Sequence, residues 1–156
     1  MVHLDIVRTT NATLAKSQPL VAVFVGGTSG IGEYTLRALA SAHGTTGKRL
    51  RVYLVGRNAA SAVRILADCR KECPAGEFLF IQARDLRLLR DVDKACAEII
   101  RLEKEEEGNG GHARIDMLFM SQGLVLFGGR VGMLIITKIK VQSLGINETT
   151  QIRKKY

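Results

Sequence analysis

The sequence predicts an α/β fold in which four parallel strands, in the order 3-2-1-4, form a doubly wound sheet. Three observations predict it: short apolar runs alternate with segments of helical periodicity, the separations between them are short, and a glycine-rich turn follows the first run. Such alternation is typical of βαβ units, whose right-handed crossovers bring successive strands into one parallel sheet. At 156 residues the chain is expected to form a single domain, with residues 1–19 as an N-terminal extension and 131–156 as an atypical tail.

The four predicted strands are continuous apolar runs. They cover residues 20–25 (LVAVFV), 51–56 (RVYLVG), 77–83 (EFLFIQA) and 115–121 (IDMLFMS). Runs without polar alternation are typical of parallel strands that are buried on both faces. We therefore expect helices to cover both sides of the sheet.

Three helices are predicted between these strands, and a short helix near residues 11–16 is expected outside the sheet. Gly44 is expected to end the first of the three, and Asn58 to cap the second. The predicted inward-facing residues are Ile31, Thr35, Ala38, Leu39 and Ala42 in the first helix, Ile65, Leu66, Cys69 and Cys73 in the second, and Leu88, Val92, Cys96 and Ile99 in the third. The third helix runs into the charged stretch RLEKEEE, which we interpret as a solvated helix end.

Composition argues against a membrane or secreted protein. No apolar run approaches the roughly 18 residues that a membrane helix needs. Asp5, Arg8 and Lys16 interrupt the segment in which a signal peptide would have its apolar region. We therefore predict a cytoplasmic location with reduced cysteines, no contact with a membrane, and no metal site, because the cysteines and histidines lack ligand spacing.

The net charge of +8 is concentrated near the C-terminus, where residues 129–156 contain six basic residues and one acid. A basic patch with interleaved aromatic residues would indicate binding of single-stranded nucleic acid, but this tail contains only Tyr156 as an aromatic residue. We therefore do not expect nucleic acid as a partner.

Four glycines lie within seven positions in the stretch VFVGGTSGIGEY, residues 23–34. In a βαβ unit the first strand ends at the N-terminus of the next helix, where free N–H groups and the helix dipole attract an anion. Gly26 permits a tight turn, Gly30 permits close approach of a pyrophosphate, and Gly32 permits close packing of helix and sheet, with Thr28 and Ser29 as hydroxyl donors. The stretch predicts a dinucleotide site; the alternative is a glycine-rich turn without a ligand.

The motif GGTSGIG resembles the glycine motif of the short-chain dehydrogenase/reductase family, and the resemblance extends over residues 20–128. VAVFVGGTSGIG, VYLVGRN and LFMSQG together resemble fungal members that occur in secondary-metabolite gene clusters. The resemblance implies a Rossmann-type fold, present here as its N-terminal part, and a small-molecule substrate. The cofactor-binding residues that it implies are Gly26, Thr28, Ser29, Gly30, Ile31, Gly32, Arg57, Asn58, Asp85, Leu86 and Gly123, with Asp85 placed at the adenine ring.

Arg57 indicates which dinucleotide binds. An acidic side chain at the end of the second strand would bind the ribose 2′-hydroxyl of NAD and repel a 2′-phosphate, whereas a guanidinium matches the phosphate in a planar, bidentate manner. Gly56 stands where the acid would be, and Arg57 follows it. The sequence predicts NADP(H) as the cofactor; the alternative is a solvent-facing arginine without a ligand.

The resemblance also implies a catalytic tyrosine with a lysine four residues later, which tunes the tyrosine as an acid and base. The chain has no such pair, because Tyr34 and Tyr53 are followed at that spacing by Ala38 and Arg57, and Tyr156 is the last residue. No catalytic residue is therefore assigned. Met120 also stands where the family usually has the first asparagine of its fourth-strand motif.

Residues 131–146 (VGMLIITKIKVQSLGI) differ from the family, and family-like sequence is expected to resume at Asn147. We consider two hypotheses: an interposed segment from a retained intron or an altered gene model, or a genuine edge strand or hairpin arm. Three functions are compatible with the sequence. They are an NADP-dependent oxidoreductase acting on a carbonyl or alcohol in secondary metabolism, a catalytically inactive dinucleotide-binding module or partner subunit, and a binder of nucleic acid or membrane surface through the basic tail.

Overall fold

The computed structural model describes residues 3–106 and 113–123. The elements in chain order are α1 (Leu4–Ser17), β1 (Leu20–Val25), α2 (Gly30–His43), β2 (Leu50–Gly56), α3 (Ala59–Glu72), β3 (Glu77–Gln82), α4 (Leu89–Glu106) and β4 (Met117–Met120). The strands form one parallel sheet with the order β3-β2-β1-β4, which confirms the predicted topology. The basic tail and residues 131–146 lie outside the described residues.

The register of the sheet aligns the carboxyl ends of its central strands. Val25 at the end of β1 lies opposite Val55 in β2 and opposite Met120 in β4. The segments that follow these three strands therefore leave the sheet at the same edge. In an open parallel sheet this edge, where the strand order reverses beside β1, is the usual place for a ligand.

Alternate residues of the central strands build two apolar layers, one on each face of the sheet. Phe24 and Leu54 face α2 and α3, whereas Val23 and Tyr53 face α4. All four side chains are buried, as predicted for parallel strands covered on both faces. At the β4 side of the sheet, the ring of Phe119 lies 5.4 Å from that of Phe24 and joins the first layer.

The predicted inner face of α2 is wrong in part: Leu39 packs against the first layer, whereas Ala38 and Ala42 are exposed. Ile31 is 75% exposed, and the stripe that contacts the sheet consists of Gly32, Leu36, Ala40 and His43. A Cβ on Gly32 would lie 2.8 Å from Cα of Gly27, so glycine at this position lets the first turn of α2 pack against the glycine loop. The N-terminal helix α1 is also longer than the predicted residues 11–16.

The interpretation of RLEKEEE as a solvated helix end is also wrong in part. Glu103 within that stretch is only 2% exposed, because it faces Arg51 and Tyr53 on β2. An acid is stable inside the protein when a cation and a hydroxyl donor satisfy it. The sequence pattern around Glu103 does not reveal these partners, since they lie about 50 residues away along the chain.

The cysteines behave mainly as small apolar side chains. Cys69 and Cys73 are buried in the layer beneath α3, as predicted, and Cys96 is half-buried. Burial raises the pKa of the Cys69 thiol to about 11, so it stays protonated at neutral pH. All three thiols are free.

Candidate functional site

A cavity of about 500 Å³ lies at the carboxyl edge of the sheet. It is bounded by the glycine loop after β1, the end of β2, one residue after β3 and the end of β4. The lining residues are Gly26, Thr28, Ser29, Gly30, Ile31, Gly56, Arg57, Leu86, Phe119, Met120, Ser121, Gln122 and Gly123. Eight of the eleven cofactor-binding residues predicted from sequence are therefore brought together here.

Two glycines of the loop have backbone conformations that side chains disfavour. Gly26 has φ +86°, and a Cβ on it would lie 2.6 Å from the backbone nitrogen of Gln122. Gly30 has φ +57°, and a Cβ on it would meet no atom within 4 Å. Gly26 therefore brings the loop against the end of β4, whereas Gly30 leaves open space where a pyrophosphate can approach the backbone.

Gly32 lies behind the cavity and allows α2 to pack closely. A Cβ at this position would collide with the Ser121 side chain and would lie 2.8 Å from Cα of Gly27. Gly32 is therefore a packing residue, and it does not line the cavity. Its contacts hold the N-terminus of α2 close to the ends of β1 and β4.

The N-terminus of α2 opens onto the cavity. Ser29 is the N-cap residue, and its hydroxyl makes no capping hydrogen bond. The first N–H groups of a helix lack intrahelical acceptors and carry the positive end of the helix dipole. With Gly30 in the first turn, this terminus has the backbone donors and the space that an anionic diphosphate requires.

Arg57 lies at the rim of the cavity, directly after Gly56 at the end of β2. Its side chain is exposed, and among residues 3–106 and 113–123 it forms no ion pair. Gly56 itself is buried, and because it has no side chain, the strand ends without a carboxylate. The rim therefore presents a guanidinium to the cavity where an acid would otherwise stand.

Comparison with known proteins identifies relatives of this chain. No family model matches the sequence. The chain is 41% identical over 128 residues to a short-chain dehydrogenase/reductase of Stachybotrys chartarum, 40% identical over 131 residues to an oxidoreductase of Emericella nidulans, and 39% identical over 127 residues to an oxidoreductase of Emericella variicolor. The chain is a homologue of short-chain dehydrogenases/reductases.

These alignments cover 82%, 83% and 81% of this chain but 36%, 35% and 34% of the respective relatives. The chain thus spans about a third of the length of the curated relatives that it matches. Homology to a short-chain dehydrogenase/reductase and the parallel sheet together imply a nicotinamide dinucleotide as the ligand. The open space above Gly30 and the N-terminus of α2 fit such a group.

Two residues expected to bind the dinucleotide lie outside the lining and have partners within the chain. Asn58 caps α3, because its side-chain oxygen accepts a 3.0 Å hydrogen bond from the N–H of Ser61. Asp85 accepts hydrogen bonds from Nε and Nη2 of Arg87, at 2.9 and 2.8 Å. The Arg87 side chain and backbone N–H lower the pKa of Asp85 to about 2.

The end of β4 contributes residues that the sequence analysis did not assign. Ser121 Oγ donates to the carbonyl oxygens of Gly26 and Val25, at 3.3 and 3.4 Å. Ser121 therefore links β4 to the glycine loop. It directly follows Met120, the position at which short-chain dehydrogenases/reductases usually have an asparagine. The alignment of the carboxyl ends of β1 and β4 was the signal that could have identified Ser121 and Gln122.

The two described tyrosines stand away from the cavity. Tyr53 is fully buried on the face covered by α4, and its hydroxyl donates to Glu103 at 2.6 Å. Burial and the neighbouring Glu103 carboxylate raise the pKa of Tyr53. Tyr34 is 74% exposed on α2 and does not line the cavity. Neither tyrosine is placed to exchange a proton with a ligand there.

In residues 3–106 and 113–123, no helix combines the length and the apolar character needed to cross a membrane.

Proposed function

We propose that this chain is the NADP(H)-binding part of an oxidoreductase of the short-chain dehydrogenase/reductase type. Its reaction interconverts a carbonyl and an alcohol, in the biosynthesis of a secondary metabolite. The observation that carries the choice of cofactor is the pair Gly56 and Arg57 at the end of β2. The first position lacks an acid, and the second lines the cavity with a guanidinium.

The preference for NADP(H) follows from charge and shape at this rim. The 2′-phosphate of NADP(H) carries negative charge, and a planar guanidinium donates two parallel hydrogen bonds to it. A carboxylate at the strand end would instead accept from a ribose 2′-hydroxyl and repel the phosphate. Arg57, which follows a glycine and not an acid at the end of β2, therefore favours the phosphorylated ribose.

The residues of the chain divide the work of binding. The N–H groups at the start of α2 bind the pyrophosphate, Gly30 leaves room for it, and Arg57 holds the ribose phosphate. Leu86 and Phe119 supply apolar walls. The bound dinucleotide supplies hydride transfer, and these residues orient it and exclude water from part of its surface.

Titration of NADPH and NADH into the wild type and Arg57→Gln tests the proposal. We expect the wild type to bind NADPH more tightly than NADH. The ratio of the two affinities should fall by about 10- to 150-fold in the variant, since charge-assisted hydrogen bonds contribute about 1.5–3 kcal/mol. Arg8→Gln is the matched control, because Arg8 is an exposed arginine on α1. Equal affinity of the wild type for both cofactors would overturn the proposal.

A second candidate function is a catalytically inactive dinucleotide-binding module or partner subunit. It is favoured by the absence, in these 156 residues, of a tyrosine followed four positions later by lysine. A positioned acid contributes on the order of 10²- to 10⁴-fold to proton transfer. The test is NADPH oxidation by this chain with a panel of ketones: binding without turnover supports the module, and rapid turnover contradicts it.

We also propose a cytoplasmic location, which the three free thiols support, because thiols persist in a reducing compartment. Cell fractionation with an antibody to this chain would test it. Recovery with the secreted fraction would contradict it.

A further inference from the structure

The backbone conformation at Gly56 does not require glycine. This residue closes β2, pairs in register with Gln82 of β3, and is not among the described glycines with positive φ. A glycine inside a strand weakens the strand and often marks the close approach of another group. The reason for glycine at this position must therefore lie in the space around it.

That space is filled by Thr28. A Cβ on Gly56 would lie 2.7 Å from Thr28 Cγ2, 3.4 Å from Thr28 Oγ1 and 3.7 Å from Thr28 Cβ. The first distance is shorter than any ordinary contact between carbon atoms. The Thr28 side chain therefore occupies the volume that every other residue at position 56 would need.

The backbone on both sides of this contact is held in place. The N–H of Gly26 donates to the carbonyl of Val55 at 3.0 Å, and the N–H of Ala83 donates to the carbonyl of Gly56 at 2.9 Å. The glycine loop and the end of β2 cannot separate without losing such bonds. An added Cβ at position 56 would therefore act by rotating Thr28, whose β-branched side chain has few favourable rotamers.

Thr28 lines the cavity beside Arg57, and within the described part of the chain no hydrogen bond engages its hydroxyl. We propose that Gly56 is a positioning residue that acts through Thr28: the missing Cβ seats the threonine so that its hydroxyl joins Arg57 in binding the 2′-phosphate of NADP(H). This inference rests on the proposed function. Gly56 would then have two roles: it leaves the end of β2 without an acid, and it leaves space for the Thr28 side chain that binds the phosphate.

A double-mutant cycle with Gly56→Ala and Thr28→Ser tests the coupling. The serine variant deletes Cγ2, which is the atom that an added Cβ would strike, and keeps the hydroxyl. The probes are adenosine 2′,5′-bisphosphate and adenosine 5′-monophosphate, which differ by the 2′-phosphate alone. Thr35→Ser on α2 is the matched control, because it deletes the same methyl from a residue outside the cavity lining.

We expect Gly56→Ala to weaken binding of the bisphosphate by about tenfold and of the monophosphate by less than about twofold. Thr28→Ser should change neither by more than about twofold, and the double variant should recover most of the loss. If the double variant binds the bisphosphate as weakly as Gly56→Ala, Gly56 does not act through Thr28. If the wild type binds both probes equally, the proposed function and this inference both fail, whereas a clear preference with additive losses overturns the inference alone.

Thr28→Val provides a test that does not depend on how well Gly56→Ala folds. Valine keeps the shape of threonine and lacks the hydroxyl, so the contact with Gly56 is preserved. We expect about a tenfold loss of affinity for the bisphosphate, with an unchanged melting temperature and an unchanged affinity for the monophosphate. Wild-type affinity for the bisphosphate in this variant would overturn the role of the hydroxyl.

Discussion

Tyr53 on β2 donates its hydroxyl proton to the Glu103 carboxylate on α4 over 2.6 Å, and both side chains are buried. Nη1 of Arg51 donates to the same oxygen at 3.1 Å. The carboxylate is therefore paired with a cation and a hydroxyl in a region that water does not reach. This cluster fixes the C-terminal half of α4 to the sheet.

Glu103→Ala is predicted to lower the free energy of unfolding by about 1–3 kcal/mol, because it leaves the buried Tyr53 hydroxyl without its acceptor. Arg51 keeps Glu77 and Glu106 as partners in this variant. Urea denaturation followed by circular dichroism would measure the loss. Glu105→Ala is the matched control on the same helix; its carboxylate is exposed and pairs with Arg101, so we expect a change within about 1 kcal/mol. Similar losses in the two variants would show that the buried cluster is not a special source of stability.

His43 is predicted to make the protein less stable in mild acid. It is 3% exposed, and neither ring nitrogen has a hydrogen-bond partner within the described residues. Burial lowers the pKa of His43, so the unfolded chain takes up this proton more readily than the folded one. The contribution is therefore fully present above the unfolded pKa and is lost as the pH falls from about 6.5 towards the folded pKa.

The slope of this loss should be positive and should stay below about 1.4 kcal/mol per pH unit, which is the limit for the uptake of one proton. Chemical denaturation at several values between pH 7.5 and pH 5 would measure it. His43→Phe should flatten the slope, and His3→Gln, which changes an exposed histidine, should not. An equal slope in the wild type and His43→Phe would contradict the prediction.

Gly26→Ala and Gly30→Ala are predicted to fail in different ways. At Gly26 an added Cβ meets both positive φ and the backbone of Gln122, so the melting temperature should fall strongly. At Gly30 the Cβ enters open space, so the fold should lose only about 1–2 kcal/mol for the left-handed backbone while NADPH binding is largely lost. Thermal melts and cofactor titrations would separate the two effects, and retention of full NADPH affinity by Gly30→Ala would argue against a pyrophosphate there.

Arg87→Gln is predicted to raise the pKa of Asp85 from about 2 towards the ordinary value of about 3.9. The reason is that the Arg87 guanidinium donates side-chain hydrogen bonds that favour the carboxylate, whereas the bond from the backbone N–H of residue 87 remains in the variant. Titration of the Asp85 carboxyl by nuclear magnetic resonance would measure the shift. Arg90→Gln should leave it unchanged, since Arg90 pairs with Asp91 instead; an unshifted pKa in Arg87→Gln would mean that other groups hold the carboxylate.

Much of the framework was determined by short stretches of sequence. The run LVAVFV became β1 without a change of boundary, Asn58 caps α3, and Gly44 ends α2 with φ +51°. These features depend on the conformational preferences of a few neighbouring residues and on local apolar periodicity. The strand order was predictable as well, because right-handed βαβ crossovers leave few alternatives once the elements are known.

Only the tertiary structure decided which sides of these elements became the interior and which residues met at the cavity. Ile31 is exposed because Gly32 brings α2 against the glycine loop, and Glu103 is buried because Arg51 and Tyr53 receive it. The contact of Thr28 with Gly56 likewise joins the glycine loop to the end of β2, which is distant along the chain. Local periodicity cannot predict these contacts, because each one joins residues that are distant along the chain and meet only in the folded protein.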